Sequence, residues 1–139
     1  MALAYKGHTL KPLYFPLARV PFAFMSDLVD AAMGDIGKDL LPYGGHYADP
    51  AVIYHNIFIT RADSNITINE PSDLKRLDIS SFQGAELRYP KWLKNVVTTG
   101  NFHANSNQLV QIKKLVSNRV NVVLSDRYIF KYYAKQLNK

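Results

Sequence analysis

Asp126 ends the run Val120-Asn121-Val122-Val123-Leu124-Ser125-Asp126, and its position is where chemistry is first expected. A short apolar run, mostly β-branched, that stops at Ser-Asp reads as a buried strand of a parallel sheet, with Asp126 at the carboxyl edge. Ligands of open α/β sheets collect at that edge, where a carboxylate can hold an ammonium group. The same side chain suits the N-cap of a helix starting at Arg127, because Asp is a preferred cap. Both readings stand. Gly84 and Ala85 end another strand-like run and open a helix, where free amides would suit a ligand carboxylate. An ordinary strand-to-helix turn accounts for this lone Gly equally well.

Arg19 lies between Pro16 and Pro21 in an aromatic neighbourhood of Tyr14, Phe15, Phe22 and Phe24. Its guanidinium could bind a carboxylate, stack on a ring or brace backbone carbonyls. Tyr54, with Tyr43 and Tyr47, surrounds the Gly-, Pro- and Asp-rich stretch 34–50 and could line a pocket, or only pack that loop. The histidines His8, His46, His55 and His103 show no metal-ligand spacing and read more simply as surface or loop residues. No nucleophile elbow, P-loop or GxGxxG occurs, and no acidic pair sits in a general acid-base context. The expectation is a protein without catalytic residues, cofactor or metal.

A length of 139 residues, with 47% hydrophobic and 20% charged residues, is that of one ordinary soluble domain. No apolar run approaches the ~20 residues that cross a bilayer. The opening Met1-Ala2-Leu3-Ala4-Tyr5-Lys6 lacks a signal-peptide pattern, so the chain as written is expected in the cytoplasm unless an export signal has been trimmed. The absence of Cys excludes disulfides, thiolate metal sites and Cys nucleophiles. The net charge of +6 is uneven: residues 1–70 carry five Lys/Arg and seven Asp/Glu, residues 71–139 twelve and four. A basic half can meet an anionic partner. Here Lys113, Lys114, Lys131 and Lys135 fall on exposed helix faces without the density of a nucleic-acid arm, so nucleic acid is not expected.

The elements that must position these residues follow from periodicity. Strands are predicted over 9–15, 29–33, 51–60, 77–82 and 120–124, with a short extended segment at 101–104. Residues 17–28 predict a short helix with Pro21 in its first turn, and 71–76 a single helical turn. A helix over 85–95 is interrupted by Pro90 and can instead begin there. Residues 106–117 place Leu109, Ile112, Leu115 and Val116 at helical spacing behind Ser106 or Asn105 as N-cap, and 127–137 form an amphipathic last helix. Ser26–Asp35 repeats the design of Ser117–Asp126 at a distance of 91 residues, suggesting two half-sites ending in Asp35 and Asp126. The pattern is that of an α/β layer protein.

The succession of motifs resembles a known family. Pro71-Ser72-Asp73-Leu74-Lys75-Arg76-Leu77-Asp78-Ile79-Ser80-Ser81-Phe82-Gln83-Gly84 resembles the "slaDLKGkrIGvqkGs" stretch of bacterial extracellular solute-binding proteins of the amino-acid-binding family. Ser117–Asp126 resembles its "sGRvDAvvxD", with Asn118 and Asn121 in place of Gly and Asp, and Tyr132-Tyr133 follows as in the family. Phe15-Pro16-Leu17-Ala18-Arg19 and Leu28–Gly34 resemble its earlier motifs in the same order. The resemblance implies a periplasmic-binding-protein-like type II fold, two α/β lobes closing on a ligand, with one nearly complete lobe and a remnant of the other. Residues 1–56 would be the partial lobe-one-like segment and 57–139 the lobe-two-like segment, with 51–60 crossing between lobes. Asp126 would hold a ligand's α-amino group, and Gly84 and Ala85 would receive it from lobe two. The implied function is non-enzymatic binding of a small polar ligand such as an amino acid, with a transporter permease as partner where the transport role is kept. The alternative is a homo-oligomeric interaction module that has lost solute binding, driven together by an uncovered apolar edge or face, with the basic half as a face for an anionic or macromolecular partner.

Overall fold

The strand Val122–Asp126 is buried along its whole length and holds the centre of the molecule, which we describe from a computed structural model covering residues 2–34, 37–50 and 52–137. Four strands form one sheet: β1 (Asn56–Ile59), β2 (Ile79–Ser81), β3 (Phe102–Ala104) and β4 (Val122–Asp126). Their order is β1-β4-β2-β3, with β2 parallel to β3 and β4, and β1 antiparallel to β4. The α-helices are α1 (Ala2–Tyr5), α2 (Val20–Met25), α3 (Ala85–Arg88), α4 (Pro90–Thr98), α5 (Gln108–Val116) and α6 (Arg127–Leu137). The protein is therefore a mixed α/β chain around a small open sheet.

Alternation along the strands divides the core between the two faces. Val122 and Leu124 point with Ile79 toward Leu93 and Val96 of α4, joined at the margin by Phe58, Trp92 and Phe102. Val123 points the other way, to Leu115, with Ile59 and Phe130 beside it. The pairing of Phe58 with Leu124 and of Ile59 with Val123 keeps β1 in phase with this division. Helices α3 and α4 thus cover one face, and α5 and α6 the other.

Asn121 fastens the entry to this sheet. Its Oδ1 accepts the Asp78 amide at 2.8 Å, while its own amide donates to the Asp78 carbonyl at 2.8 Å. Asn121→Ala, which strips one half of that clasp, is expected to cost about 1–2 kcal/mol. Asn121→Asp, which keeps an acceptor oxygen, should cost less. Urea unfolding with an unchanged m-value reads the difference. Asn118, at the end of α5, has φ 57°, the left-handed conformation in which a helix often ends on Gly or Asn. Its amide reaches back to Leu115, and Arg61 donates to its side chain. Before β2, Asp73 accepts the amides of Asn69 and Glu70, which hold its carboxyl below the usual 3.8.

Several predicted elements are found with adjusted ends. The 51–60 strand narrows to Asn56–Ile59 and the 77–82 strand to Ile79–Ser81, while the helix ambiguity at Pro90 resolves into two helices, α3 and α4. The N-cap of α5 is Asn107, whose Oδ1 accepts the Leu109 amide at 3.0 Å, rather than Ser106 or Asn105. The last predicted strand, 120–124, is displaced to 122–126, so Asp126 lies inside the strand rather than beyond it.

The predicted strands at 9–15 and 29–33 are not formed. A β-strand needs a neighbour for its amides, and Pro12 removes a donor from the first of these segments, with Pro16 directly after it. Tyr14 is 90% exposed there. Before the second, Asp27 turns the chain with φ 54°, and 28–33 run on largely exposed. The sequence repeat therefore does not yield two matching half-sites; its first end point, Asp35, lies outside the described residues. Pro21 does sit in the first turn of α2, where its missing N–H is harmless.

Candidate functional site

The strand order itself creates a crevice. From β2 the chain passes through α3 and α4 over one face to β3, then returns through α5 over the other face to β4, on the far side of β2. The connections that leave the ends of β2 and β4 therefore part to opposite faces, which is the topological switch point where open α/β sheets bind ligands. A cavity of about 220 Å³ opens there.

Phe82 enters it from the end of β2, and Arg88 from the last position of α3. Asp126 closes β4, and Ile129 follows one turn into α6. Gln108, the first residue of α5, Tyr54 two residues ahead of β1, Asn56 at the start of β1, and Leu17 from the N-terminal segment complete the wall. The lining thus combines a carboxylate, a guanidinium, two amides and two aromatic rings.

Asp126 is 6% exposed and its oxygens are well occupied. Oδ1 accepts the amides of Tyr128 at 2.8 Å and Ile129 at 3.0 Å, the N-cap arrangement for α6. Oδ2 accepts the His55 amide at 2.8 Å, and the Arg127 amide donates to the His55 carbonyl at 3.0 Å, so the backbone entering β1 is pinned on both sides. A carboxylate has about four acceptor positions, so one remains on Oδ2 for a ligand donor. Capping and ligand contact are therefore compatible on this one side chain. Ser125 donates to Gln108 Oε1 at 3.2 Å, and Asn56 donates to the Tyr89 hydroxyl at 2.8 Å, which orients both amides of the wall.

Of the residues singled out in the sequence, Asp126 and Tyr54 line this cavity, whereas Gly84, Ala85 and Arg19 are absent from its lining. Gly84 is buried with φ 87°, a left-handed turn that L side chains rarely adopt, and it aims the chain from β2 into α3. Ala85 is fully buried and its amide donates to the Phe82 carbonyl at 3.3 Å. The free amide expected there is thus engaged within the turn. Arg19 is exposed at the end of a helical turn, Leu17–Arg19, whose first residue reaches the cavity instead. The Tyr47 hydroxyl donates to the Lys38 carbonyl at 3.2 Å and accepts the Leu40 amide, so this ring braces its own loop.

Arg88, Gln108 and Phe82 were not legible as site residues. Arg88 carried one usable signal, a cation one helical turn beyond the strand-end Gly84. Gln108 carried none, because helical periodicity locates α5 without saying what its first residue faces. His103 lies 3.5 Å from Asp78 on the surface, away from the cavity lining. Among the described residues, no His, Cys, Asp or Glu gather in threes as metal ligands, and no helix is long and apolar enough to cross a membrane. No family model, curated protein or solved structure matches the chain.

Proposed function

We propose that the chain is a solute-binding-like protein without catalysis, holding a small polar ligand such as an amino acid in the cavity between β2 and β4. The observation that carries this reading is the placing of the Asp126 carboxylate and the Asn56 and Gln108 amides at the switch point, in a recess also lined by Tyr54 and Phe82. The ammonium of a small polar ligand would meet the carboxylate, the amides would take its other polar atoms, and the rings would cover its apolar part. The periplasmic-binding-protein type II reading is supported by the antiparallel entry of β1, as for a strand arriving from another lobe, with residues 1–56 and 57–139 as the two lobe-like segments. A permease partner follows only if the transport role is kept.

The test is a thermal-shift screen of amino acids, polyamines and small acids. A ligand at ten times its Kd stabilises by about 1.4 kcal/mol, a rise of about 5 °C for a chain of this size. A flat response across the screen would remove the reading.

A second reading, a homo-oligomeric interaction module, is favoured by one observation. Residues before β1 leave Leu10, Tyr14, Met33 and Ile53 largely exposed, apolar side chains that a second copy would cover. Sedimentation showing a strict monomer would count against it.

A further inference from the structure

We propose that the ligand site continues past the cavity onto α6, so that the ligand carries an aromatic, anionic tail beyond its small polar head, as in a dipeptide ending in an aromatic residue. This inference rests on the solute-binding reading and deepens it.

Two recesses meet at one wall. The cavity of about 220 Å³ lies on one side of Gln108 and Ile129, and a shallow recess of about 410 Å³, floored by Tyr128, Tyr132 and Tyr133, lies on the other. Gln108 and Ile129 line both. The cavity alone is smaller than the ~300–1,000 Å³ usual for ligand pockets, so a ligand of ordinary size would extend out of it over the neighbouring recess.

The chemistry of the second recess selects the tail. Tyr128 and Tyr132 are 68% and 61% exposed, and Tyr132 meets Tyr133 edge-on at 5.1 Å, leaving an aromatic corner open to solvent. A ligand ring would stack or pack edge-on in that corner. Lys131 follows Tyr128 by three positions and Lys135 follows Tyr132 by three, so both exposed lysines fall on the same side of α6 as these tyrosines. A carboxylate at the far end of the tail meets those lysines. Asp126 takes the ammonium at the other end, through the acceptor position left on Oδ2.

Calorimetry with the twenty amino acids, and with dipeptides in which each is followed by alanine or phenylalanine, tests the proposal. For the preferred head, the phenylalanine dipeptide should bind about tenfold more tightly than the alanine dipeptide. Tyr128→Ala/Tyr132→Ala should abolish that gain while leaving the affinity for the free amino acid unchanged. Lys131→Gln/Lys135→Gln should weaken the dipeptide but not its C-terminal amide. Free amino acids that bind without any tyrosine-dependent gain overturn the extended site and leave the cavity reading intact. Binding of neither amino acids nor dipeptides overturns both.

Discussion

Asp126→Ala is expected to lower the unfolding free energy by about 3–4 kcal/mol, the sum of a lost helix cap and of amides left without acceptors. The expectation follows from the three backbone donors that one carboxylate gathers: His55 ahead of β1, and Tyr128 and Ile129 at the start of α6. Two distant parts of the chain lose their tie together. Asp126→Asn keeps one oxygen as acceptor but turns an NH₂ toward one set of amides, and about 1–2 kcal/mol is expected. Chemical denaturation gives the free energies, and hydrogen exchange at the three amides shows which tie has opened. An Ala variant within about 0.5 kcal/mol of the parent would mean the amides find other partners. The comparison also governs any binding experiment: the Asn variant changes the side chain that lines the cavity while retaining most of the fold.

The second large effect belongs to the core. Leu93→Ala is expected to cost about 2–5 kcal/mol, because Leu93 is fully buried on α4 against the Ile79 and Val122 face of the sheet. The cost combines lost transfer energy with the cavity left behind, and β2 and β4 cannot move inward to fill it without breaking their pairing. Leu93→Met, nearly equal in volume, should cost less than about 1.5 kcal/mol. Val116→Ala is the contrast, since Val116 also lies on a helix but is 69% exposed, and a change within about 0.5 kcal/mol is expected. Equal losses at Leu93 and Val116 would contradict the division of faces described above.

From about residue 71 onward, the architecture was legible in the sequence. Gly84, Pro90, the α5 spacing and the apolar run to Asp126 each follow from constraints acting within a few residues: a left-handed turn, a missing donor, helical periodicity and strand burial. Residues 9–15 and 29–33 have strand-like composition yet stay unpaired, because composition sets how well a segment would fit a sheet and not whether a neighbour is present. Gly84 and Ala85 were read as offering an amide to a ligand, whereas the turn consumes the Ala85 amide on Phe82. That outcome depends on the geometry of one tight turn, which residue types leave open.

The sequence by itself determined that Asp126 stands at a strand-to-helix junction, since the apolar run and the amphipathic helix after it admit few other arrangements. Only the tertiary structure decided what surrounds Asp126. The placement of β4 between β1 and β2 brings the His55 amide to one oxygen, and the opposite exits of the connections after β2 and β4 bring Arg88, Phe82 and Gln108 around it. Those neighbours come from positions 17 to 129, and contacts across such separations are set by strand order and packing, which no local pattern of residues encodes.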